Sequence, residues 1–184
     1  MAETPARLKK IDLLAECLRH ARPDEIPTAV AYLSGVLPQG TIGVGWASLR
    51  GLPAPAPSPP TLELLDVDAA LERIAAMKGP GSQTVRRTAL VTLFSQATET
   101  EQQFLTGLLL GELRQGAQEK IMLEAVARAA GVPAAGVRRA LMLAGDLGAV
   151  AKAVIAEGQK GLARFRLQLL RPVQPMLAQT ATDL

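Results

Sequence analysis

The sequence predicts an all-α protein. Two observations carry that reading: apolar residues recur at helical spacing along most of the chain, and the stretches between them hold helix caps and stop glycines. The first helix is expected over 6–21, where Leu8, Ile11, Leu14, Ala15 and Leu18 form one stripe. A second over 25–36 ends at Gly35, and a short third covers 45–51. Pro53 to Pro60 (PAPAPSPP) is a stiff polyproline-like strap that cannot join a packed helix, and it is expected to connect a front helical group to a larger rear one.

Behind the strap, Leu62, Leu65, Ala69 and Ile74 mark a helix over 61–77, with Thr61 as a simple N-cap, Glu63 in the first turn and Gly79 as its stop. Helices over 83–95 and 99–112 follow, and Thr98 with Glu101 three residues on fits a capping box. Gly116 and Gly131 bracket a helix over 117–130, and another is expected over 134–143. Asp146 caps the last, 146–157, which stops at Gly158. From there Leu162, Phe165, Leu167, Leu169 and Leu170 interleave with Arg164, Arg166 and Gln168, a pattern nearer a strand or extended arm, and Pro172 and Pro175 end regular structure. The expected division is a helical domain over 1–158 and an extended connector over 159–184 that looks like the exit from one module of a longer protein.

Composition removes several classes of function. The 184 residues are 48% apolar and 20% charged, enough to bury a core and against wholesale disorder. Cys17 is the one cysteine and His20 the one histidine, which excludes a disulfide scaffold and a Cys/His zinc site and makes a reducing cytoplasm the expected compartment. No apolar run approaches the ~20 residues a membrane span needs, and no membrane partner is expected. Catalysis fares no better: Cys17 and His20 lack an orienting acid, no Gly-Lys-Ser/Thr phosphate loop exists, and Gly43-Val44-Gly45 lacks the third glycine and the preceding strand of a dinucleotide fingerprint. No catalytic or metal residue is assigned.

Binding is better supported. The net charge of +3 permits a polyanionic partner, and aromatic residues at 3% are too few for a row of single-strand stacking platforms, so a duplex is the expected nucleic acid. Four glycine turns lie at or near helix ends: 40–45, 78–82, 111–116 and 145–148. Helix amino termini expose unpaired N–H groups, and glycine lets a phosphate approach the backbone, so several such turns can track a phosphate chain with little net charge. The pairs Arg86-Arg87 and Arg138-Arg139 stand close to these turns, with Lys120 and Lys152 nearby. Residues 125–141 also have the shape of a helix-turn-helix. Its second helix, with Ala134, Ala135, Val137 and Ala140, offers few groups to base edges, which argues against a transcription regulator.

The order of segments adds a resemblance. Residues 92–131 (TLFSQATETEQQFLTGLLLGELRQGAQEKIMLEAVARAAG), preceded by 77–87 (MKGPGSQTVRR), resemble the amino-terminal DNA-binding domain of ATP-dependent DNA ligases of the actinobacterial type. Residues 27–46 resemble that family's early helices and Gly-x-Gly turn, and 171–178 (RPVQPMLA) its connector into the nucleotidyltransferase domain. The resemblance implies an all-α module that grips nicked duplex DNA across the minor groove through the sugar-phosphate backbone, independently of sequence. By position it implies phosphate-facing turns at Gly79, Gly81 and Ser82, at Gly111, Arg114 and Gly116, and at Gly43 and Gly45, with charge from Arg114 and Arg86-Arg87. Glu112 departs from that pattern, since a cation would suit phosphate better there. It also implies ATP and a divalent metal in catalytic domains outside this sequence, because the Lys-x-Asp-Gly motif is absent before Leu184, and a role in repair, recombination or replication. The rival expectation is a helical protein-interaction scaffold, against which no internal repeat of 30–50 residues appears.

Overall fold

The computed structural model describes residues 5–56, 59–113 and 119–167, and among them all regular structure is helical. Ten helices follow in order: α1 (Pro5–His20), α2 (Ile26–Leu33), α3 (Trp46–Leu49), α4 (Leu64–Ala76), α5 (Ser82–Gln96), α6 (Glu99–Leu110), α7 (Glu119–Ala130), α8 (Ala134–Ala144), α9 (Leu147–Glu157) and α10 (Gln159–Leu162). The nine expected helices are all present. The tenth corrects the expectation of extended structure directly after Gly158; residues 168–184 lie outside the described residues.

The chain forms two compact units, one from Met1–Val30 with Gln118–Leu184 and one from Ala31–Ala117, so the boundary falls within α2. In the terminal unit α1 packs along α7, and α7, α8 and α9 pack on one another. Ile11, Leu14, Ala15 and Leu18 of the predicted stripe are buried on α1, as are Met122, Leu123, Ala125 and Val126 on α7. Two ion pairs run along that seam. Arg7 Nη2 donates to both carboxylate oxygens of Glu124 at 2.7 and 2.8 Å, and Arg128 Nη1 donates to Asp12 at 2.5 Å. The short α10 lies so close to α9 that a Cβ on Gly161 would stand 2.3 Å from the carbonyl oxygen of Ala153. Only a residue without a side chain fits there.

The core of the central unit joins Tyr32, Ile42 and Leu49 to Leu71, Ile74, Leu90, Phe94, Leu105 and Leu108. Residues on both sides of the proline strap thus share one core, and the strap lies within a unit rather than between two helical groups. Its described part is tied to the α5–α6 corner: Ala56 N–H donates to Ala97 O at 2.8 Å, and Gln102 Nε2 donates to Pro53 O at 3.2 Å and to Phe94 O at 2.7 Å. Proline lacks the N–H that a helix needs, yet its carbonyl still accepts, and Gln102 uses that. Tyr32 Oη and Gln39 Nε2 both donate to Asp68 Oδ1, at 2.9 and 2.8 Å, so this half-buried carboxylate is satisfied.

The caps follow the sequence at two of three places. Thr98 and Glu101 close the reciprocal capping box on α6, and Asp146 Oδ1 accepts from Gly148 N–H at 2.8 Å and Ala149 N–H at 3.2 Å on α9. Thr61 does not cap α4, which begins later, at Leu64, with Glu63 in the cap position and no side-chain cap bond.

Candidate nucleic-acid interface

Three segments of the central unit meet through two arginines. Gly43 stands in the left-handed region at φ 70°, and a Cβ there would come within 2.7 Å of Arg86 Nη1. The same guanidinium donates through Nη2 to Met77 O, at the mouth of the turn that holds Gly79 and Gly81. Arg86, on the first turns of α5, therefore ties the 40–45 turn to the 77–81 turn. Arg87 does the same for α3: its Nη1 donates to Ser48 O at 2.9 Å and its Nη2 to Arg50 O at 2.6 Å. These carbonyls close the carboxyl end of α3, where a cation also suits the helix dipole.

Arg86 and Arg87 are expected from the sequence to add charge beside the phosphate-facing turns. Both are half-buried and bonded to backbone carbonyls, because carbonyls at the ends of short helices need donors that the helix cannot supply. Their charges persist nonetheless. Among the described residues no ion pair joins a carboxylate to Arg50, Lys78, Arg86 or Arg87.

The glycines divide into two groups. Gly79 and Gly81, at φ 89° and 79°, are exposed, with no heavy atom within 4 Å of where a Cβ would stand; Gly81 immediately precedes α5 and Ser82 is its first residue. Gly45 is exposed and equally open, but its φ of −138° is one any residue adopts. Gly111 is different. It ends α6, where its N–H donates to Leu108 O at 3.2 Å and the Glu112 N–H donates to Gly107 O at 2.8 Å, a paired closure of orphan carbonyls. The structure gives Gly111 a capping role; Arg114 and Gly116 lie outside the described residues. Leu113, the last described residue of that turn, packs against Gly107 and Gly35.

Elsewhere the candidates stay apart. Arg138 and Arg139 are exposed on α8, whose buried face is Val137, Ala140, Leu141 and Ala144, so the second helix of the helix-turn-helix shape presents little beyond two arginines. His20 Nδ1 lies 2.8 Å from Glu16 O on its own helix, and partial burial pushes the Cys17 thiol up, opposite to what a nucleophile needs. Among the described residues no group of three or more His, Cys, Asp or Glu could hold a metal, and no helix is long and apolar enough to cross a membrane. Sequence reasoning missed the carbonyl contacts of the arginine pair and the exposure of Trp46; neither leaves a mark in spacing or composition.

Residues 47–127 match the family model described as DNA ligase N terminus. That span is similar to a DNA ligase N-terminal domain. The chain is 54% identical over its whole length to the probable DNA ligase of Anaeromyxobacter dehalogenans (strain 2CP-C), 52% identical to that of Streptomyces griseus and, over 96% of its length, 56% identical to that of Mycobacterium sp. (strain KMS). Actinobacterial relatives thus stand among the matches. The chain spans only 36% of the length of the first two relatives and 35% of the third. The matched span holds α4, α5 and α6 with both arginines of the junction, and it begins one residue after Trp46.

Proposed function

We propose that this chain is the DNA-gripping module of an ATP-dependent DNA ligase, holding nicked duplex across the minor groove through the sugar-phosphate backbone without reading sequence. The observation that carries the reading is the Arg86 junction, where one guanidinium lies beside Gly43 and is bonded to Met77 O at the turn of Gly79 and Gly81. Gly79 and Gly81 leave the backbone bare where a phosphate would approach, and Ser82 opens α5 with its hydroxyl and the positive end of the helix dipole beside them. Contacts of this kind fix register and carry no base preference.

The rest of the enzyme would supply the chemistry. ATP and a divalent metal would be held by the rest of such a ligase; the Lys-x-Asp-Gly motif is missing from these residues, so no adenylation step is assigned to them. Its contribution is effective concentration at the nick and support of a deformed duplex, in repair, recombination or replication on chromosomal DNA in the cytoplasm.

Fluorescence anisotropy of a labelled nicked duplex, against matched intact duplex and single strand across a salt series, tests this. Expected are binding indifferent to sequence, preference for duplex, and a fall in log K with log salt of slope no steeper than about −3.6, the value for four phosphate contacts. Base-dependent affinity, or no binding at low salt, overturns the proposal, and the second result moves the reading to a protein-interaction scaffold.

A further inference from the structure

Trp46 is the only tryptophan in the chain, and 60% of its surface is exposed. A ring of this size is ordinarily drawn into a core or an interface, because burying it removes a large apolar area from water. Its position is also fixed. It is the first residue of the four-residue α3; three residues before it, Gly43 lies against Arg86, and two residues after it the carbonyl of Ser48 is bonded to Arg87. The backbone after the indole is thus bonded to Arg87 and the backbone before it lies close to Arg86, the preceding residue of α5, and Gly45 next to it adds no bulk. Val85, adjoining Arg86 on α5, is a second exposed apolar side chain at 53%.

Resting on the duplex-binding reading above, we infer that Trp46 lays its indole against the deoxyribose faces of the gripped duplex. A sugar-phosphate backbone alternates anionic phosphates with apolar sugar faces. The segment that carries Trp46 has a group for each: Arg86 beside Gly43 and Arg87 on the Ser48 and Arg50 carbonyls, neither paired with a carboxylate among the described residues, and the exposed indole itself. A single strand, whose bases would need successive platforms, is served less well, since Tyr32 and Phe94 are buried in the core. The contact is apolar and independent of base identity. It adds affinity without releasing counterions.

Because the chain has one tryptophan, its emission reports the contact directly. The 184-residue chain is titrated with unlabelled nicked duplex while emission is followed, in parallel with anisotropy on labelled duplex. Emission should change saturably with the midpoint that anisotropy gives. Trp46→Ala should weaken duplex binding about tenfold with an unchanged salt slope, and Trp46→Phe should keep most of the affinity. Circular dichroism of both variants should match the wild type, because the ring is exposed. If the wild type binds duplex while Trp46→Ala binds as tightly, or while emission stays constant, the inference falls and the duplex reading stands. Equal or greater emission change and affinity loss with single strand overturns the sugar-face contact in favour of base stacking. Absence of duplex binding by the wild type removes both.

Discussion

At the scale of single residues, Gly45 and Gly81 separate what the fold needs from what a ligand needs. Both are exposed with open space at the Cβ position, but only Gly81 has a positive φ, of 79°. Gly45→Ala should therefore leave stability within about 0.5 kcal/mol in urea unfolding and still weaken duplex binding, whereas Gly81→Ala should cost about 1 kcal/mol or more through strain. Equal duplex affinity of Gly45→Ala and wild type would remove Gly45 from the interface. Arg87→Ala should cost ~1–2 kcal/mol, because the Ser48 and Arg50 carbonyls lose a charged donor, and an unchanged unfolding midpoint would count against that role. Tyr32 offers a pH test. Burial first, then its bond to Asp68 and that carboxylate's charge, hold its pKa well above the ordinary value near 10. The folded phenol thus keeps its proton where the unfolded one loses it, so stability is full below pH 10 and falls as pH rises further. As the only tyrosine, it should show no tyrosinate absorbance above pH 10 until the protein unfolds, and Tyr32→Phe should flatten the alkaline decline. A normal titration of the folded chain near pH 10 would refute this.

Among the elements, legibility followed the range of the forces involved. The α6 capping box and the Asp146 cap could be read because they are local, with donor and acceptor within three residues. Thr98→Ala should cost roughly 1 kcal/mol while Thr98→Ser retains most of it, as urea unfolding would show; equal midpoints for all three would refute the cap. Thr61 failed as a cap because α4 starts at Leu64, and the residues ahead of it follow a proline run that favours extended backbone. Beyond Gly158 the alternation of Leu and Arg suggested a strand or extended arm, yet over Gln159–Leu162 Gly161 lets α10 close onto Ala153, a tertiary fit that composition cannot announce. The arginine pair shows the same limit at the site. Its charge and its nearness to glycine turns were visible in the sequence, but carbonyls at Met77, Ser48 and Arg50 lie far enough along the chain that only the fold brings them to Arg86 and Arg87.

For the whole molecule, the division into a continuous central unit and a terminal unit made from both ends of the sequence has a direct test. A fragment covering 31–117 contains its own core, from Tyr32 to Leu109, and should show cooperative urea unfolding, whereas 1–30 alone should not stay helical, since α1 is a marginal helix without α7. A non-cooperative 31–117 fragment would count against the division. The strap expectation failed at this scale, because a proline run looks like a linker whether it crosses between cores or lies on one. The ion pairs of α1 with α7 span 117 and 116 residues of sequence. During synthesis at 5–20 residues per second, α1 therefore leaves the ribosome roughly 6 to 23 s before its partner exists. Through that interval Ile11, Leu14, Ala15 and Leu18 face water or a chaperone, while the central unit has its full complement of residues and time to fold. The helix α1 thus waits for the whole central unit before α7 shelters it, and a slow codon run after 117 would lengthen its exposure more than any substitution in the central core.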